Sequence, residues 1–395
     1  MEMAALDNRI KLNQQKITTR SRILRNIIHQ KKTSKTGIAE TLGISVPTVL
    51  YHTNGLADAG LLAEKGEFES TGGRKAKIIV PVADAKYAVG IDITKNHVGF
   101  VLTDLSGNAI NHTRICIPFS CEDAYFSELW SLAGDFLKNT GKSVENFLGF
   151  GISIPGIVNS ETQVIEFSHA LGISGVPCQV FSKYFDKPCI FINDANAAMC
   201  AEMYDEINRS TTAYLSLSNT VGGSFYSAID LINEGQVIDS IYLGDNFRSY
   251  EFGHMTLFPG GRECYCKKIG CVDAYCSAKV LSSHTDGDLE SFFRELEMGN
   301  RMFSDTWNTY LDNLAVTVNN LRMAFDCQVV IGGYVGNCIG PYFPELIKRA
   351  SVLNTFENSA SYLKKCKYKI EASALGAALQ HIEIFIYQID SEPIK

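Results

Sequence analysis

Residues 251–276 concentrate side chains that can bind a metal ion and a polar ligand. The spacing of the nitrogen and sulfur donors is H-x9-C-x-C-x4-C, and these are the ligands that a tetrahedral structural zinc ion prefers. Two carboxylates, those of Glu251 and Asp273, flank this glycine-rich stretch and are expected to hydrogen-bond the hydroxyls of a small ligand. The sequence therefore predicts a zinc-stabilised loop that holds a ligand site. The expected metal ligands are His254, Cys264, Cys266 and Cys271.

The composition is that of an ordinary globular protein. The chain has 395 residues, of which 46% are hydrophobic and 20% are charged, which is enough for two or three domains with buried cores. Cys116, Cys189, Cys200 and Cys327 stand in apolar contexts, which favours reduced core thiols over disulfides. Because neither a long apolar run nor a signal-peptide pattern is present, we expect a cytoplasmic protein without a membrane span.

Charge is distributed unevenly along the chain. Residues 1–80 hold 13 Lys and Arg against 7 Asp and Glu, a net charge of +6, whereas the remainder has a net charge of −13. A basic N-terminal segment on an acidic body is typical of proteins that bind nucleic acid at one end. The alternative is a solvated basic tail.

The basic segment has the pattern of a helix-turn-helix. Residues 19–30 have the apolar spacing of an amphipathic helix, and a second short helix fits residues 35–42. After a Gly-Ile turn, Ser45 is a good N-cap for a third helix that runs to about Leu56. Pro47 falls in the first turn of that helix, where its missing N–H is harmless. These signals together predict a helix-turn-helix.

Residues 60–69 are interpreted as a β-hairpin that turns at Lys65-Gly66 and forms a wing. A flexible basic linker, residues 71–75, is expected to follow. If the third helix enters a major groove, its exposed residues contact base edges or phosphates, and the linker reaches phosphates or a minor groove. The alternative is a three-helix packing module that does not bind DNA. The expected DNA contacts are Ser45, Pro47, Thr48, Tyr51, His52, Arg74 and Lys75.

The acidic body alternates strands with glycine-rich turns and helices. Residues 87–93 predict a strand that carries Asp92 near its end, and a meander of this kind begins the actin-like ATPase and sugar-kinase fold. Another strand, 188–192, leads into Asn193 and Asp194 at a helix start, where α/β folds bind ligands. Asp194 is either a general base for a sugar hydroxyl or, like Asn193, a simple N-cap. We expect two α/β lobes around a cleft.

Together these residues resemble the ROK family of repressors, uncharacterised reading frames and sugar kinases. The most specific motif is E-x-G-H, followed by C-x-C and G-C-x-D/E, and the N-terminal helices are similar to those of the family's xylose and N-acetylglucosamine repressors. The resemblance implies that His254 and the three cysteines bind structural zinc, with the second ring nitrogen of His254 toward a sugar hydroxyl. At position 273 this chain has an aspartate where the family usually has a glutamate, so the side chain implied to contact the sugar there is shorter by one methylene. The implied sugar-pocket residues are Gly156, Asn193, Asp194, Glu251, His254 and Asp273.

The chain departs from the family's kinases at both phosphate loops. The kinases begin with D-I-G-G-T-K, whereas residues 92–97 read D-I-T-K-N-H, so the glycines that let backbone N–H groups approach phosphate are absent. The second loop, G-T-G-I-G-G-G in the kinases, reads S-N-T-V-G-G-S at residues 218–224. No catalytic residue is therefore expected, with Asp194 as the base if kinase activity persists.

The sequence predicts a sugar-responsive DNA-binding transcriptional regulator, a repressor of carbohydrate-utilisation genes. The alternatives are a ROK-type ATP-dependent sugar kinase that retains a DNA-binding head, and a DNA-binding protein with a vestigial body. Because a paired operator needs two heads, we expect a homodimer or homotetramer on double-stranded DNA. The expected domains are a winged helix-turn-helix with basic linker (1–80), an N-terminal α/β lobe (81–192) joined by the C-terminal helix (374–395), and a C-terminal α/β lobe with the zinc loop (193–373).

Overall fold

The computed structural model describes residues 18–69, 75–206, 209–228 and 237–389. The described chain begins with a winged helix-turn-helix and continues into two α/β lobes that face each other across a cleft. This fold class confirms the one expected from the sequence. Among the described helices, none combines the length and the apolar character needed to cross a membrane.

Local capping signals define the helices of the head, which are α1 (Thr19–Gln30), α2 (Lys35–Leu42) and α3 (Val46–Asp58). Gly43 ends α2 with a left-handed φ of 63°, as helix C-caps prefer. The Ser45 hydroxyl accepts a hydrogen bond from the N–H of Thr48 at 3.2 Å and caps α3. The sequence predicted these helices to within two residues because each end carries its own signal.

The wing is longer than the predicted hairpin. It pairs β1 (Leu62–Glu67) with β2 (Lys77–Pro81) in antiparallel register, so the segment expected as a linker lies between the two strands. The predicted turn at Lys65-Gly66 is wrong, because Gly66 has a φ of 76° inside the strand, where the register shifts at a bulge. Of the two contacts predicted in this segment, Lys75 is exposed just before β2, and Arg74 lies outside the described residues.

The first lobe contains a mixed sheet, a small antiparallel sheet and flanking helices. Its elements are β3 (Tyr87–Ile93), β4 (His97–Asp104), β5 (Ala109–Cys116), α4 (Asp123–Asn139), β6 (Phe147–Ile154), β7 (Ile157–Asn159), β8 (Val164–Ser168), β9 (Ile173–Pro177), α5 (Gln179–Ser182) and β10 (Cys189–Asn193). The mixed sheet has the order β10-β6-β3-β4-β5, and β7-β8-β9 form the small sheet. Because β10, β6 and β3 are parallel, Asp92 and Asn193 come to the same sheet edge, which borders the cleft.

The second lobe contains another mixed sheet that is covered by helices. Its elements are α6 (Asp194–Tyr204), β11 (Thr212–Leu217), β12 (Val221–Tyr226), α7 (Asp273–Cys276), α8 (Ala278–Ser282), α9 (Leu289–Glu297), α10 (Arg301–Phe325), β13 (Gln328–Gly332), α11 (Gly333–Cys338), α12 (Phe343–Leu353) and β14 (Leu363–Lys365). The sheet order is β12-β11-β13-β14, with β11, β13 and β14 parallel. The loop between β12 and α7 carries the cysteine cluster.

The last helix, α13 (Ala372–Gln388), packs directly on the sheet of the first lobe. A Cβ added to Gly90 in β3 would lie 1.7 Å from the carbonyl oxygen of Ala374, and one added to Gly151 in β6 would lie 2.0 Å from that of Ala377. Only glycine permits so close a contact between helix and sheet. The helix therefore belongs to the core of the first lobe.

The same helix also holds the head. Ser21 in α1 donates a hydrogen bond to the carbonyl of Ile386 at 2.7 Å, and Arg25 forms an ion pair with Glu383 at 2.5 Å. The apolar core of the head continues without a break into that of the body. Residues of this shared core include Ile23, Leu24, Ile27, Ile28, Leu375, Leu379, Ile382 and Ile386. The sequence did not predict this docking of head on body.

Candidate functional site

The four residues with metal-ligand spacing come together in space. The donor atoms of His254, Cys264, Cys266 and Cys271 all lie within 4.8 Å of one another, with 3.8 Å between the sulfurs of Cys266 and Cys271. Zinc–sulfur bonds of about 2.3 Å in a tetrahedron separate two sulfurs by roughly 3.8 Å. Burial raises the pKa of the Cys264 thiol to about 12, and a bound divalent cation is what would ionise such a thiol. The cluster can therefore hold a metal ion.

The loop between His254 and Cys271, called the metal loop, contains left-handed backbone at Gly260, Lys267 and Gly270. Gly270 has a φ of 83°, and a Cβ there would lie 1.8 Å from the carbonyl oxygen of Phe258, so glycine is required. Lys267, which follows the ligand Cys266, has a φ of 69°. A residue with a side chain costs about 1–2 kcal/mol in this region, so Lys267 strains the loop.

Replacing Lys267 with glycine is expected to stabilise the metal-loaded protein. Relief of the backbone strain exceeds the extra freedom of glycine in the unfolded chain, for a net gain of roughly 0.5–1 kcal/mol in the free energy of unfolding. Urea unfolding measures this difference. Lys268→Gly is the matched control, because Lys268 does not have a positive φ and its replacement should destabilise the protein. Equal effects of the two substitutions would contradict the assignment of strain to Lys267.

The histidine of the cluster connects the metal site to the cleft. Its Nδ1 lies 4.0 Å from the sulfur of Cys264, and its Nε2 lies 3.1 Å from the hydroxyl of Tyr265. If Nδ1 binds the metal, Nε2 carries the ring proton and donates a hydrogen bond to the Tyr265 hydroxyl oxygen. The family resemblance implied that the second ring nitrogen of His254 points toward a sugar hydroxyl, and the sequence did not single out Tyr265. The available signal was its position between two ligands in C-x-C.

A cavity of about 250 Å³ lies next to this histidine. It is lined by polar side chains from both lobes and by a wall of aromatic and aliphatic residues. His169, which follows β8 in the first lobe, packs edge-on against Tyr265 of the second lobe with 5.2 Å between ring centres. Of the predicted sugar-pocket residues, those that line this cavity are Gly156, Asn193, Asp194, Glu251 and His254.

Asn193 and Gly156 hold the backbone at the edge of this cavity in place. The Asn193 side-chain oxygen caps α6 by accepting hydrogen bonds from the N–H groups of Ala195 and Asn196 at 2.9 and 3.0 Å. Its amide donates to the carbonyl of Gly156 at 2.9 Å. A Cβ on Gly156 would lie 2.5 Å from the carbonyl oxygen of Phe167. Asn193 is therefore the N-cap. The Asp194 carboxylate accepts from the N–H of Ala195 at 2.9 Å through one oxygen, and the side chain lines the cavity.

Asp194 is held in an unusual electrostatic environment. Burial, and then the neighbouring carboxylates of Asp92 and Glu251, raise its pKa to about 7. Burial also raises the pKa of Glu251. Two carboxyl groups that line one small polar cavity are suited to accept hydrogen bonds from vicinal hydroxyls, because each supplies several acceptor sites.

Asp273 does not reach the cavity. Its carboxylate is buried and accepts a hydrogen bond from the N–H of Val221 at 2.6 Å, and Asp273 is not among the described residues that line the cavity. The expected sugar contact is corrected accordingly. An aspartate side chain at this position is satisfied by the nearby backbone, so Asp273 braces β12 against the metal loop.

A second cavity of about 480 Å³ adjoins the first and borders the two altered phosphate loops. Thr94 lies in the β3–β4 turn, where its N–H donates to the carbonyl of His97 at 2.9 Å, and its hydroxyl accepts from the N–H of His97 at 3.1 Å. In the other loop the N–H of Ser218 donates to the carbonyl of Thr220 at 3.3 Å. These three N–H groups are used within the loops themselves and are therefore not available to bind a phosphate.

The fold and the site define a class of protein: a winged helix-turn-helix on a two-lobed body of the sugar-kinase type, with a cluster of histidine and cysteine metal ligands at the cleft. A ROK family model matches residues 88–383. The chain belongs to the ROK family.

Similar proteins include members with and without the head. The chain is 26% identical to the xylose repressor of Bacillus spizizenii over 319 residues, which covers 78% of this chain and 80% of the repressor. A ROK family transcriptional regulator, described as a homologue of the Escherichia coli MLC protein, superposes with a TM-score of 0.69 at 18% identity over 93% of this chain and 96% of its own. A ROK family glucokinase from Streptomyces griseus, in complex with glucose and AMPPNP, has a TM-score of 0.61 at 17% identity and covers 98% of its own chain but 74% of this one.

Proposed function

We propose that this protein is a sugar-responsive transcriptional regulator that represses genes of carbohydrate utilisation. The observation that carries the proposal is the winged helix-turn-helix fused to a ROK body whose cleft is lined by two carboxyl groups, Asp194 and Glu251. The name of the similar xylose repressor supports a sugar effector and makes xylose the first ligand to test. The internally bonded phosphate loops favour regulation over phosphoryl transfer.

We infer that the metal is zinc and that its role is structural. One histidine and three cysteines supply four protein ligands, which leaves no open coordination position of the kind that catalytic zinc keeps. The ion would hold the loop that carries Glu251 and His254 against the first lobe. Sugar contacts are proposed for Gly156, Asn193, Asp194, Glu251 and His254.

We propose that the head binds operator DNA as part of an oligomer in the cytoplasm. A homodimer or homotetramer supplies the two heads that a paired site requires. The residues proposed to contact DNA are Ser45, Pro47, Thr48, Tyr51, His52, Arg74 and Lys75. The domain bounds proposed are those given above, amended so that the paired strands β1 and β2 form the wing.

Two helices connect the sugar cavity to the head, and we propose that they carry the response. Helix α6 begins at Asp194 and ends at Tyr204, whose ring lies 6.2 Å from that of His29 in α1. Helix α13 begins beside the cavities, where the Ser373 hydroxyl donates to the carbonyl of Asp194 at 3.1 Å, and reaches the head at Glu383. A ligand that favours one arrangement of these helices shifts DNA affinity by the difference in its affinity for the two states.

The proposal is tested by measuring binding of the full-length protein to its own promoter DNA by fluorescence anisotropy at physiological salt. We expect specific binding that a sugar among xylose, glucose and N-acetylglucosamine weakens by about tenfold, within the usual range of allosteric coupling. Asp194→Ala should abolish the response and leave DNA affinity unchanged. Equal affinity for promoter and random DNA would overturn the proposal.

Sugar affinity is expected to depend on pH through Asp194. Its pKa of about 7 means that the carboxylate, which accepts hydrogen bonds from the sugar, loses its charge as the pH falls. Sugar affinity should therefore drop about tenfold between pH 8 and pH 6, because the ionised fraction falls by that factor. Calorimetric titration at several pH values measures this effect. The Asp194→Asn variant should bind weakly with a flatter profile, and an unchanged slope in that variant would assign the titration to another group.

A further inference from the structure

The outward face of helix α3 is apolar. Val46 and Leu50 are each 44% exposed and Tyr51 is 71% exposed, and the exposed Pro47 and Asn54 lie on the same face, since residues three and four apart are helix neighbours. The opposite face is buried through Val49, Thr53 and Leu56. The stripe consisting of Val46, Pro47, Leu50, Tyr51 and Asn54 is called the α3 stripe.

The α3 stripe has no charge. From Val46 to Ala57 the sequence contains no Lys, Arg, Asp or Glu, although residues 1–80 carry a net charge of +6. A contiguous exposed apolar face on a helix marks a surface that is covered in the functional state. Because α3 is the second helix of the helix-turn-helix and lies beside a wing, the groove of a duplex is the surface that fits it. The net positive charge of residues 1–80 suits the negative charge of the phosphates.

The chemistry of the stripe selects among base pairs. The C5-methyl group of thymine is the apolar feature that the major groove presents, and an asparagine pairs bidentately with adenine N6 and N7. Guanine is recognised mainly through Arg or Lys, which α3 lacks. The stripe thus offers contacts that suit A·T pairs and lacks the contact that suits G·C pairs.

We propose that α3 reads an A·T-rich half-site through thymine methyl groups, with Val46, Leu50 and Tyr51 against the methyls and Asn54 on an adjacent adenine. This inference rests on the proposed DNA-binding function and adds the sequence class of the operator. Contacts from the wing to phosphate give affinity without sequence preference.

The test begins with selection of duplexes from a random pool by the full-length protein, followed by base analogues in the selected half-site. Replacing thymine with deoxyuridine removes only the methyl group. Each contacted methyl should contribute about fourfold to affinity, the value for burial of one such group, so replacing three of them should weaken binding by roughly 60-fold. Deoxyuridine outside the half-site is the control within the DNA and should have no effect.

Two protein variants complete the test. Leu50→Ala should weaken binding to the thymine duplex about fourfold or more but leave binding to the deoxyuridine duplex nearly unchanged, since the partner methyl is already absent. Asn54→Ala should relax the preference for adenine at one position. Met298→Ala is the matched control, because Met298 is an apolar residue that is 78% exposed on the body. Unchanged melting temperatures verify that each variant is folded.

The outcomes separate this inference from the function on which it rests. A G·C-rich consensus, indifference to deoxyuridine, or an equal effect of Leu50→Ala on both duplexes would overturn methyl readout while leaving DNA binding in place. The same holds if the stripe variants bind the selected DNA normally and instead lose a protein partner. Failure of the unaltered protein to select any duplex would overturn the proposed function itself.

Discussion

Replacing Cys271 with serine is expected to release the metal ion and to abolish sugar binding while operator binding persists. Serine is a poor zinc ligand, and the three remaining donors cannot complete the closed tetrahedral site. We expect about one zinc per chain in the unaltered protein and nearly none in the variant, with sugar affinity reduced by roughly 100-fold or more. Metal analysis, calorimetry with sugar and anisotropy with promoter DNA measure the three quantities.

Sugar binding is expected to be lost before DNA binding because of where the metal loop lies. Cys271 lies between Gly270, whose N–H donates to the carbonyl of Arg262 at 2.8 Å, and Val272, whose N–H donates to the carbonyl of Met255 at 2.9 Å. Without the ion these loop segments lose their common anchor, and His254 is released from its fixed orientation. Among the described residues, the apolar core of the head is shared with α13 and includes no residue of this loop. DNA binding should therefore outlast the sugar response.

Cys116→Ser is the matched control. The expectation that Cys116 is a core thiol was wrong, because it is an exposed cysteine of the first lobe, and it lies outside the metal cluster. It should leave metal content, sugar affinity and DNA affinity unchanged. A chelated protein or a Cys271→Ser variant that still responds to sugar would show that the loop does not depend on the metal. If the Cys271→Ser variant lost DNA binding together with its metal, DNA binding by the head would depend on the metal loop.

The sequence predicted those parts of the molecule that are determined locally. Helices α1, α2 and α3 were located because Ser45 and Gly43 are caps whose effect depends on the adjoining turn. The metal ligands were identified for the same reason, since a tight loop brings closely spaced donors together whatever surrounds it.

Errors arose where a side chain or strand is satisfied by a distant part of the chain. Gly66 was interpreted as a turn because glycine suits one, but the residues that pair with β1 lie ten or more positions farther along the chain. Asp273 was assigned to the cavity, whereas its carboxylate meets the N–H of Val221 from another strand. Tyr265 and His169 were missed because their contact crosses the cleft between the lobes.

The docking of the head was not predictable from periodicity. The apolar residues of α1 suffice to explain an independent three-helix core, and those of α13 suffice to explain packing on the sheet. In the structure the apolar residues of both helices belong to a single core. A hydrophobic pattern does not specify which element its apolar face packs against. The sequence therefore predicted the head and the body as separate units.

The second large effect is expected at the ion pair between head and body. Arg25 and Glu383 are 2.5 Å apart, with 14% and 4% of their side chains exposed, so the replacement Arg25→Met leaves a buried carboxylate without its charged partner. Breaking a buried pair in this way costs about 3–5 kcal/mol. We expect the head to separate from α13, so that thermal unfolding begins at a lower temperature and sugar no longer changes DNA affinity. Calorimetric scanning and anisotropy with and without sugar measure both effects.

The double variant Arg25→Met/Glu383→Leu distinguishes stability from signalling. Replacing both members of a buried pair with apolar residues removes the unpaired charge and is often neutral or stabilising, so the melting temperature should recover. If the pair only holds the head in place, the sugar response recovers with it. If the pair also distinguishes the two arrangements of α13, the response stays reduced in a protein of normal stability, since an apolar contact tolerates sliding that an ion pair does not. A single variant Arg25→Met with unchanged melting and unchanged response would exclude this pair as the connection between cavity and head.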